Sequence, residues 1–298
     1  MTPSAHPSCP PRRLGLSLAL GAALFALLGA CHSELPPGGP PRANIDFCPA
    51  DAGAPPPHQS GLSAGCALSG QPSGVVLLHV ASNGVDGILV VPPAAATGTP
   101  LPLVLVFHGA GDTAAGIRST YDLEDPADGG AVFAYLESAA STWALGETVD
   151  LHHVDSLVQL VSSTYCVDQD RIFAAGMSAG GVFTHWVGCV RSETFRAVAV
   201  TAGTDVRFDT SCCSGTMSAI MIHGMNDLTI SYAQGQSARN RLLATDGCSS
   251  TPVTLDSHCD DYPGCRSGLA IEWCGHPGGH EIPPWAGGEV WSFFQRFP

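Results

Sequence analysis

The chain has 298 residues, enough for one large domain with additional segments, and 45% of them are hydrophobic, enough for a substantial core. Charged residues make up only 13%, and 26 Asp and Glu against 12 Lys and Arg give a formal charge of −14. Such an acidic chain repels nucleic acids and other polyanions, so neither is an expected partner.

Residues 1–31 have the pattern of a lipoprotein signal peptide. Arg12 and Arg13 precede an apolar run, Leu14 to Leu28, that is too short for a typical membrane span. The run leads into a sequence that resembles the bacterial lipobox, in which small residues precede a cysteine, here Cys31, that is acylated and becomes the mature N-terminus. An ordinary signal peptide is the alternative. Both interpretations predict export, and a membrane is contacted only through the lipid on Cys31.

Cysteine usage agrees with export. Two of the 12 cysteines lie within residues 1–31, and the remaining ten are an even number, as expected for disulfides in an oxidising compartment. Paired C-x-x-C motifs at zinc spacing are absent from the sequence, so we expect no metal site. Proximity along the chain suggests pairing of Cys248 with Cys265 and of Cys48 with Cys66.

Residues 32–69 are rich in Pro, Gly, Ala and Ser, which predicts a linker that tethers the folded domain to the membrane. The domain itself is expected to span residues 70–298. We found no internal repeat in the chain.

Strand and helix patterns alternate through this domain. The predicted strands are Val75–Leu78, Ile88–Val91, Leu103–Phe107, Ala131–Leu136, Ile172–Ala175, Ala197–Val200, Ala219–Ile222 and Leu269–Trp273. The predicted helices are Val154–Thr164, Val182–Val190, Gln236–Ala244 and Val290–Phe297. A turn signal at Ser82–Gly84 makes the first two strands a hairpin. The alternation elsewhere predicts an α/β fold with a mostly parallel central sheet flanked by helices.

The most informative motif is Gly176-Met-Ser178-Ala-Gly180, between a predicted buried strand and a predicted helix. Strand, G-x-S-x-G and helix together form the nucleophile elbow of α/β-hydrolases, which is the fold we predict. The sharp turn holds Ser178 in a strained conformation, and side chains at the two glycines would collide with backbone. The helix N-terminus then directs N–H groups to the place where an oxyanion forms.

A serine nucleophile needs a histidine base and a carboxylate that orients the histidine. In this fold the acid and then the base follow the serine along the chain. Asp227 lies in a turn after a predicted strand, and His280 lies in a Gly-rich loop after the last predicted strand. We therefore predict Ser178, Asp227 and His280 as the catalytic residues, with no cofactor required.

Other side chains compete for these roles or support them. Asp205 and Asp209 also follow a strand but lack the turn pattern, and His276 is the main competitor of His280 as the base. Three further histidines are not expected to take part in catalysis. His223 is expected to fix the acid turn and His108 to support the loop after Phe107, while His185, within the helix after the serine, is expected to be buried or to fill the surface.

The oxyanion hole is expected to have two backbone donors. One is the N–H of Ala179, directly after the nucleophile. The other comes from the loop His108–Gly111, whose small residues let the backbone approach a substrate carbonyl, and Ala110 is the first candidate.

Taken together, these segments resemble a known family. The strand ending in His108–Gly109, the lead-in Tyr165–Asp168 to the elbow, the His223–Asp227 turn and the Gly278–His280 loop resemble the secreted polyhydroxybutyrate depolymerase and feruloyl esterase family of bacteria. The resemblance covers most of the chain from about Gly74. It implies a serine esterase and assigns the same three catalytic residues. Where the family often has an aromatic residue and a proline after its histidine, this chain has Glu281 and Ile282.

The resemblance implies feruloyl or acetyl esters of plant polysaccharide or oligosaccharide as substrates, with polyhydroxyalkanoate chains as the alternative. Trp143, Trp186, Tyr232 and Trp285 are candidates for lining an aromatic acyl pocket.

A non-catalytic binding protein is a rival interpretation, but the three catalytic residue types are all present. A peptidase on the same fold is another, but roughly 220 residues leave little room for the cap domain that such peptidases carry.

Overall fold

The computed structural model describes residues 59–80, 85–145, 148–206, 213, 215–255, 258–266 and 268–298. All of them belong to one compact unit, Ile45–Pro298. The predicted signal peptide with Cys31, the predicted linker up to residue 58, and Cys48 lie outside the described residues.

The strands form one mixed sheet in the described part of the chain. In spatial order, and numbered along the chain, they are β1 Gly74–Val80, β2 Val85–Val91, β4 Val132–Leu136, β3 Leu101–Phe107, β5 Val167–Met177, β6 Ala197–Thr201, β7 Ser218–Gly224, β10 Ile271–His276, β9 Asp260–Asp261 and β8 Val253–Thr254. The six strands from β4 to β10 in this order pair in parallel, and the two edges are antiparallel. This is the predicted, mostly parallel sheet.

Helices cover both faces of the sheet. They are α1 Pro93–Ala96, α2 Ala114–Thr120, α3 Glu124–Ala127, α4 Thr148–Thr164, α5 Ala179–Val190, α6 Tyr232–Asp246 and α7 Ala286–Phe294. One core joins α4, α5 and α6 to the sheet, and the other joins α2, α3 and α7 to its opposite face. The central strands β3 and β6 are buried on both faces, which explains their continuous apolar sequences.

The long central helices follow the predicted apolar spacing. In α4, Val154, Leu157 and Val161 are buried while Leu160 is exposed, because residues three and four apart share one helix face. The predicted bounds of the last long strand and of the closing helix differ from those in the structure. The closing helix begins at Ala286 and not at Val290, and the last long strand is Ile271–His276 and not Leu269–Trp273.

The sequence did not indicate α1, α2, α3, β8 or β9. These elements are seven residues long or shorter, and too few apolar positions repeat within them to reveal a period. The predicted first hairpin is confirmed by the antiparallel pairing of β1 with β2, although its turn lies outside the described residues.

Four disulfides link the described residues: Cys66–Cys166, Cys189–Cys213, Cys248–Cys265 and Cys259–Cys274. The predicted Cys248–Cys265 pair is confirmed. The predicted Cys48–Cys66 pair is wrong, because Cys66 bonds to Cys166, which is 100 residues away in sequence and adjacent to it in the fold. Disulfides of this number indicate an oxidising compartment.

Residues before Gly70 already belong to the folded domain. A short 3-10 helix, Ala64–Ala67, carries Cys66, and the Ser63 hydroxyl donates to the carbonyl of Tyr165 at 2.8 Å. The domain boundary therefore lies earlier than residue 70. The sequence did not indicate this, because local composition does not reveal a contact with a distant segment. Among the described residues, no helix combines the length and apolarity needed to cross a membrane.

Candidate active site

The serine of the elbow lies between the end of β5 and the start of α5. Ser178 has φ 57° and ψ −119°, a conformation that costs on the order of 1–3 kcal/mol for a non-glycine residue and that recurs at functional sites. Its N–H donates to the carbonyl of Thr201 at 3.0 Å, and its carbonyl accepts from Val182 at 2.9 Å. The fold thus holds the serine backbone on both sides.

The two glycines of the motif have the steric role that was predicted. A Cβ atom at Gly176 would overlap the carbonyl of Gly180, and a Cβ atom at Gly180 would overlap the carbonyls of Phe107 and His108. Glycine is needed at Gly180 because α5 begins directly against the carboxyl end of β3.

Asp227 occupies the turn that follows β7. Its side chain is fully buried, and its Oδ1 accepts the N–H groups of Thr229 and Ile230 at 2.8 and 2.9 Å. Burial alone would raise the pKa of Asp227, but the hydrogen bonds from His280, Ile230 and Thr229 outweigh it and lower the pKa. The group is therefore a carboxylate at neutral pH.

His280 lies in the loop after β10 and joins the other two residues. Its Nδ1 is 2.7 Å from Asp227 Oδ2, and its Nε2 is 2.7 Å from Ser178 Oγ. Because a carboxylate only accepts, Nδ1 carries the proton and donates to Asp227. Nε2 is then free to accept the serine proton. The structure thus brings together all three residues that the sequence put forward.

The competing side chains have other partners. The carboxylate of Asp205 pairs with Arg241, and Asp209 lies outside the described residues. His276 is buried at the end of β10, and its Nδ1 accepts the N–H of Gly278 at 3.1 Å. His185 is fully buried within α5.

The expected structural histidines are confirmed. His223 Nε2 donates to the carbonyl of Ile230 at 2.8 Å and lies 3.5 Å from Asp227 Oδ2, so it fixes the acid turn. His108 Nδ1 donates to the carbonyl of Gly109 at 2.7 Å, while its Nε2 accepts from the N–H of Ser138 at 3.2 Å. The His108 ring therefore holds the loop that follows β3.

The backbone segments that carry the two predicted oxyanion donors lie next to the serine. Ala179 is the first residue of α5, so its N–H has no intrahelical acceptor and lies at the positive end of the helix dipole. The loop with Ala110 is adjacent, because a Cβ built on Gly109 would lie 3.6 Å from the Cβ of Ser178. Ala110 itself is exposed to solvent, whereas Gly109 is buried.

Two of the four aromatic residues expected in an acyl pocket are core residues. Trp186 lies in α5, a helix whose residues from Gly180 to Val190 are all buried, and its own side chain is completely buried. The prediction that Trp186 lines a substrate pocket was therefore wrong. Trp143 is 5% exposed and stacks on Phe183, and its indole N–H donates to the carbonyl of His108 at 2.8 Å. Trp143 thus supports the loop that follows β3 and does not form an open pocket wall.

The other two aromatic residues are half-buried. The Tyr232 hydroxyl accepts from the indole N–H of Trp273 at 3.2 Å. Trp285 stacks on His258 with 4.2 Å between ring centroids and lines a groove of about 890 Å³ beside α7. None of the three catalytic candidates lines this groove.

Two positions near the site were missed by sequence reasoning. Thr201 accepts the Ser178 N–H through its main-chain carbonyl, and its buried hydroxyl contacts that of Tyr121 at 2.6 Å. Asn226 donates through Nδ2 to the carbonyl of Pro277 at 2.6 Å. The signal for Asn226 was its place directly before the acid, and no local pattern marks Thr201.

Comparisons of the sequence relate this chain to known proteins. Residues 140–212, which include the elbow, match the Prolyl oligopeptidase family. The chain is 29% identical over 233 residues to the Aspergillus terreus protein named Probable feruloyl esterase C, a match that covers 71% of this chain and 84% of that protein. It is 26% identical over 230 residues to feruloyl esterase D of Neurospora crassa, covering 66% of this chain and 77% of that protein.

One solved structure extends the comparison to the fold. The acetyl xylan esterase from Aspergillus awamori matches with a TM-score of 0.62, covering 75% of this chain and 99% of that chain. The sequences are 15% identical, so the likeness concerns the fold alone. It confirms the predicted α/β-hydrolase architecture.

Proposed function

We propose that this chain, a serine ester hydrolase of the feruloyl esterase family of α/β-hydrolases, works through a Ser178–His280–Asp227 triad. The reaction is proposed to pass through an acyl-enzyme. The observation that carries the proposal is the continuous contact from serine to carboxylate, with 2.7 Å at each of the two hydrogen bonds of His280. This spacing suits proton transfer without rearrangement.

The reaction has two halves. Ser178 Oγ forms a bond to the ester carbonyl carbon while His280 Nε2 takes the serine proton, and the carbonyl oxygen becomes an oxyanion stabilised by the N–H groups of Ala179 and Ala110. The tetrahedral intermediate collapses, and His280 gives its proton to the leaving alcohol. Water then attacks the acyl-enzyme with His280 again as the base, which releases the acid and restores Ser178.

The proposed substrates are feruloyl or acetyl esters of plant polysaccharides or oligosaccharides. The names of the relatives support the feruloyl class, because the two relatives described above are named Probable feruloyl esterase C and Feruloyl esterase D. A charge of −14 favours a neutral or cationic substrate over a polyanion. Polyhydroxyalkanoate esters are the alternative substrate class, and the substrate panel described below includes a hydroxybutyrate oligomer.

Residues 1–31 are proposed to direct export and to leave a lipid on Cys31, with residues 32 onward linking the lipid to the catalytic domain. The disulfides support passage into an oxidising compartment. Mass spectrometry of the N-terminal peptide from the native host tests the anchor. We expect a diacylglyceryl-modified Cys31, and an unmodified N-terminus beyond Cys31 would rule the anchor out.

Hydrolysis of a substrate panel tests the proposed function. The panel holds methyl ferulate, acetylated xylan, a p-nitrophenyl ester series, a hydroxybutyrate oligomer and a proline p-nitroanilide peptide, with Ser178→Ala as the control. We expect turnover of methyl ferulate or acetylated xylan that the variant lacks. Exclusive turnover of the hydroxybutyrate oligomer or of the anilide would replace the proposed substrate class, and equal turnover by Ser178→Ala would overturn the mechanism.

A further inference from the structure

The loop that carries His280 is attached to the turn that carries Asp227. The N–H of Met225 donates to the carbonyl of His276 at 2.7 Å, and the N–H of Asn226 donates to the carbonyl of Gly278 at 3.0 Å. The contact is close, because a Cβ atom on Gly224 would overlap the carbonyls of the loop. The base loop, residues 277–280, therefore takes its position from the acid turn.

One peptide group in this loop is held by side chains at both of its ends. The carbonyl of Pro277 accepts a hydrogen bond from Asn226 Nδ2 at 2.6 Å. The N–H of the same peptide group, which belongs to Gly278, donates to His276 Nδ1 at 3.1 Å. Rotation of this peptide plane breaks both bonds, so the two side chains fix its orientation.

His276 can play this part only while its Nδ1 is unprotonated. The residue is 5% exposed, and burial lowers its pKa, although Glu281 and Asp227 favour the charged form and His223 disfavours it. The neutral ring then carries its proton on Nε2, which meets no acceptor in the described part of the chain. The acceptor for the Gly278 N–H is thus maintained at neutral pH.

The held peptide precedes the base by two residues. His280 must keep two contacts of 2.7 Å on opposite sides of one ring. A displacement of about 1 Å in such a site reduces a rate by on the order of 100-fold. Small rotations of the Pro277–Gly278 peptide are therefore transmitted to the serine–histidine contact.

We propose that Asn226 and His276 are positioning residues that orient His280 by holding the Pro277–Gly278 peptide at its carbonyl and its N–H. The inference rests on the proposed ester hydrolase function. Neither residue touches the reacting atoms. Both act through the loop, so they are expected to change kcat and to leave KM unchanged.

Asn226→Ala tests the carbonyl end of the peptide. Asn226 is exposed, so its replacement removes the hydrogen bond without opening a cavity. We expect kcat to fall about tenfold, because the loop keeps its other attachments, with KM and the melting temperature unchanged. Asn240→Ala is the matched control, since Asn240 is an exposed asparagine on α6 whose Oδ1 accepts bonds from Arg239. The control is expected to keep the wild-type kcat.

His276→Asn and His276→Gln test the N–H end. The Oδ1 of asparagine falls near the position of the imidazole Nδ1, whereas the Oε1 of glutamine falls near that of Nε2. We expect the asparagine variant to keep most of the wild-type kcat and the glutamine variant to lose about tenfold, as Asn226→Ala does. The same pair of substitutions at the exposed His152 of α4 is the control for both side chains.

The double variant Asn226→Ala/His276→Gln shows whether the two residues act on one peptide. Because they hold the same unit, we expect its loss to be no greater than that of the more damaged single variant, and not the product of the two losses. A multiplicative loss would overturn the shared role, as would a wild-type kcat for Asn226→Ala or equal losses for the asparagine and glutamine variants.

A turnover-independent measurement separates this inference from the proposed function. The rate of Ser178 phosphonylation by a fluorophosphonate also depends on His280 as base, and we expect it to fall in the same variants. Ester turnover that persists in Ser178→Ala would defeat the proposed function. Wild-type phosphonylation rates in Asn226→Ala and His276→Gln would defeat only the positioning role.

Discussion

The elbow and the base loop place their reactive side chains by different physical means. The backbone around Ser178 fixes its conformation, because Ser178 lies between a strand and a helix. The two neighbouring glycines also pack against main-chain carbonyls. His280 lies on irregular chain and is fixed by a few hydrogen bonds, including those of Asn226 and His276 to the preceding peptide. The proposed nucleophile therefore depends on the packed fold, and the proposed base depends on local polar contacts.

This difference predicts two kinds of damage. A change in the elbow disturbs the core and the site together, because α5 and β3 meet there. A change around the base loop alters catalysis and leaves the fold intact. The first three predictions below test the two sides of this contrast and the last tests a contact outside both, in order of decreasing effect.

The largest effect is expected for Asp227→Asn, on the base side. The amide Oδ1 retains the bonds from Thr229 and Ile230, while its Nδ2–H donates to His280 Nδ1 and forces the ring proton onto Nε2. His280 then no longer accepts the serine proton. We expect kcat to fall by about 10⁴-fold with an unchanged circular dichroism spectrum. A kcat within tenfold of wild type would remove Asp227 from the triad.

Gly180→Ala tests the elbow side. Its Cβ atom would meet the carbonyl oxygens of Phe107 and His108, so we expect a loss of about 1–3 kcal/mol of unfolding free energy together with the loss of activity. Gly288→Ala on α7 is the control, because a Cβ atom there meets nothing within 4 Å. The control is expected to keep wild-type stability or gain about 0.5–1 kcal/mol. A fully stable but inactive Gly180→Ala would contradict the coupling of core and site.

Acid sensitivity of the fold is expected to arise partly from α5. Burial, with a smaller contribution from Arg241, lowers the pKa of His185 to about 3, whereas the unfolded value is near 6.5. Between these values the unfolded state binds more protons, so stability falls as the pH is lowered below about 6.5. The unfolding free energy can be measured by urea denaturation at several pH values between 6 and 4. Its slope against pH should be steeper in the wild type than in His185→Gln, by the equivalent of about one proton. Identical slopes would contradict a neutral buried His185.

The smallest effect is expected for Tyr232→Phe. The lost hydroxyl accepts a single bond from Trp273, so we expect a stability loss of about 1 kcal/mol. The KM for methyl ferulate should stay within about twofold of wild type, because this bond anchors α6 to β10 and not to the substrate. A fivefold rise in KM would instead place Tyr232 in the acyl pocket.

The elbow was predictable from sequence for a steric reason. A strand, two glycines and a helix in one short segment admit few conformations, and the chain order of acid and base in the fold then narrowed the search for Asp227 and His280. The long helix α4 was predictable because its apolar period extends over several turns.

Contacts between distant segments were not predictable. Cys66 pairs with Cys166 across 100 residues, and Asn226 meets Pro277 across 51, so neither partner is marked in local sequence. Trp186 was misplaced although its position was readable: α5 carries apolar residues nearly all round, which is the pattern of a buried helix. Trp143 lies outside any helix or strand, so its exposure depends on the packing of its neighbours, which a linear pattern does not show.

The most direct test of the account is active-site labelling of the full-length protein with a fluorophosphonate, followed by peptide mass spectrometry. The reagent bonds to an activated serine oxygen with loss of fluoride, so it reports the nucleophile independently of the substrate. We predict one adduct per chain, on Ser178, with labelling slowed strongly in His280→Ala and in Asp227→Asn. An adduct on another residue, or none on the folded wild-type protein, would contradict a serine hydrolase built on Ser178, His280 and Asp227.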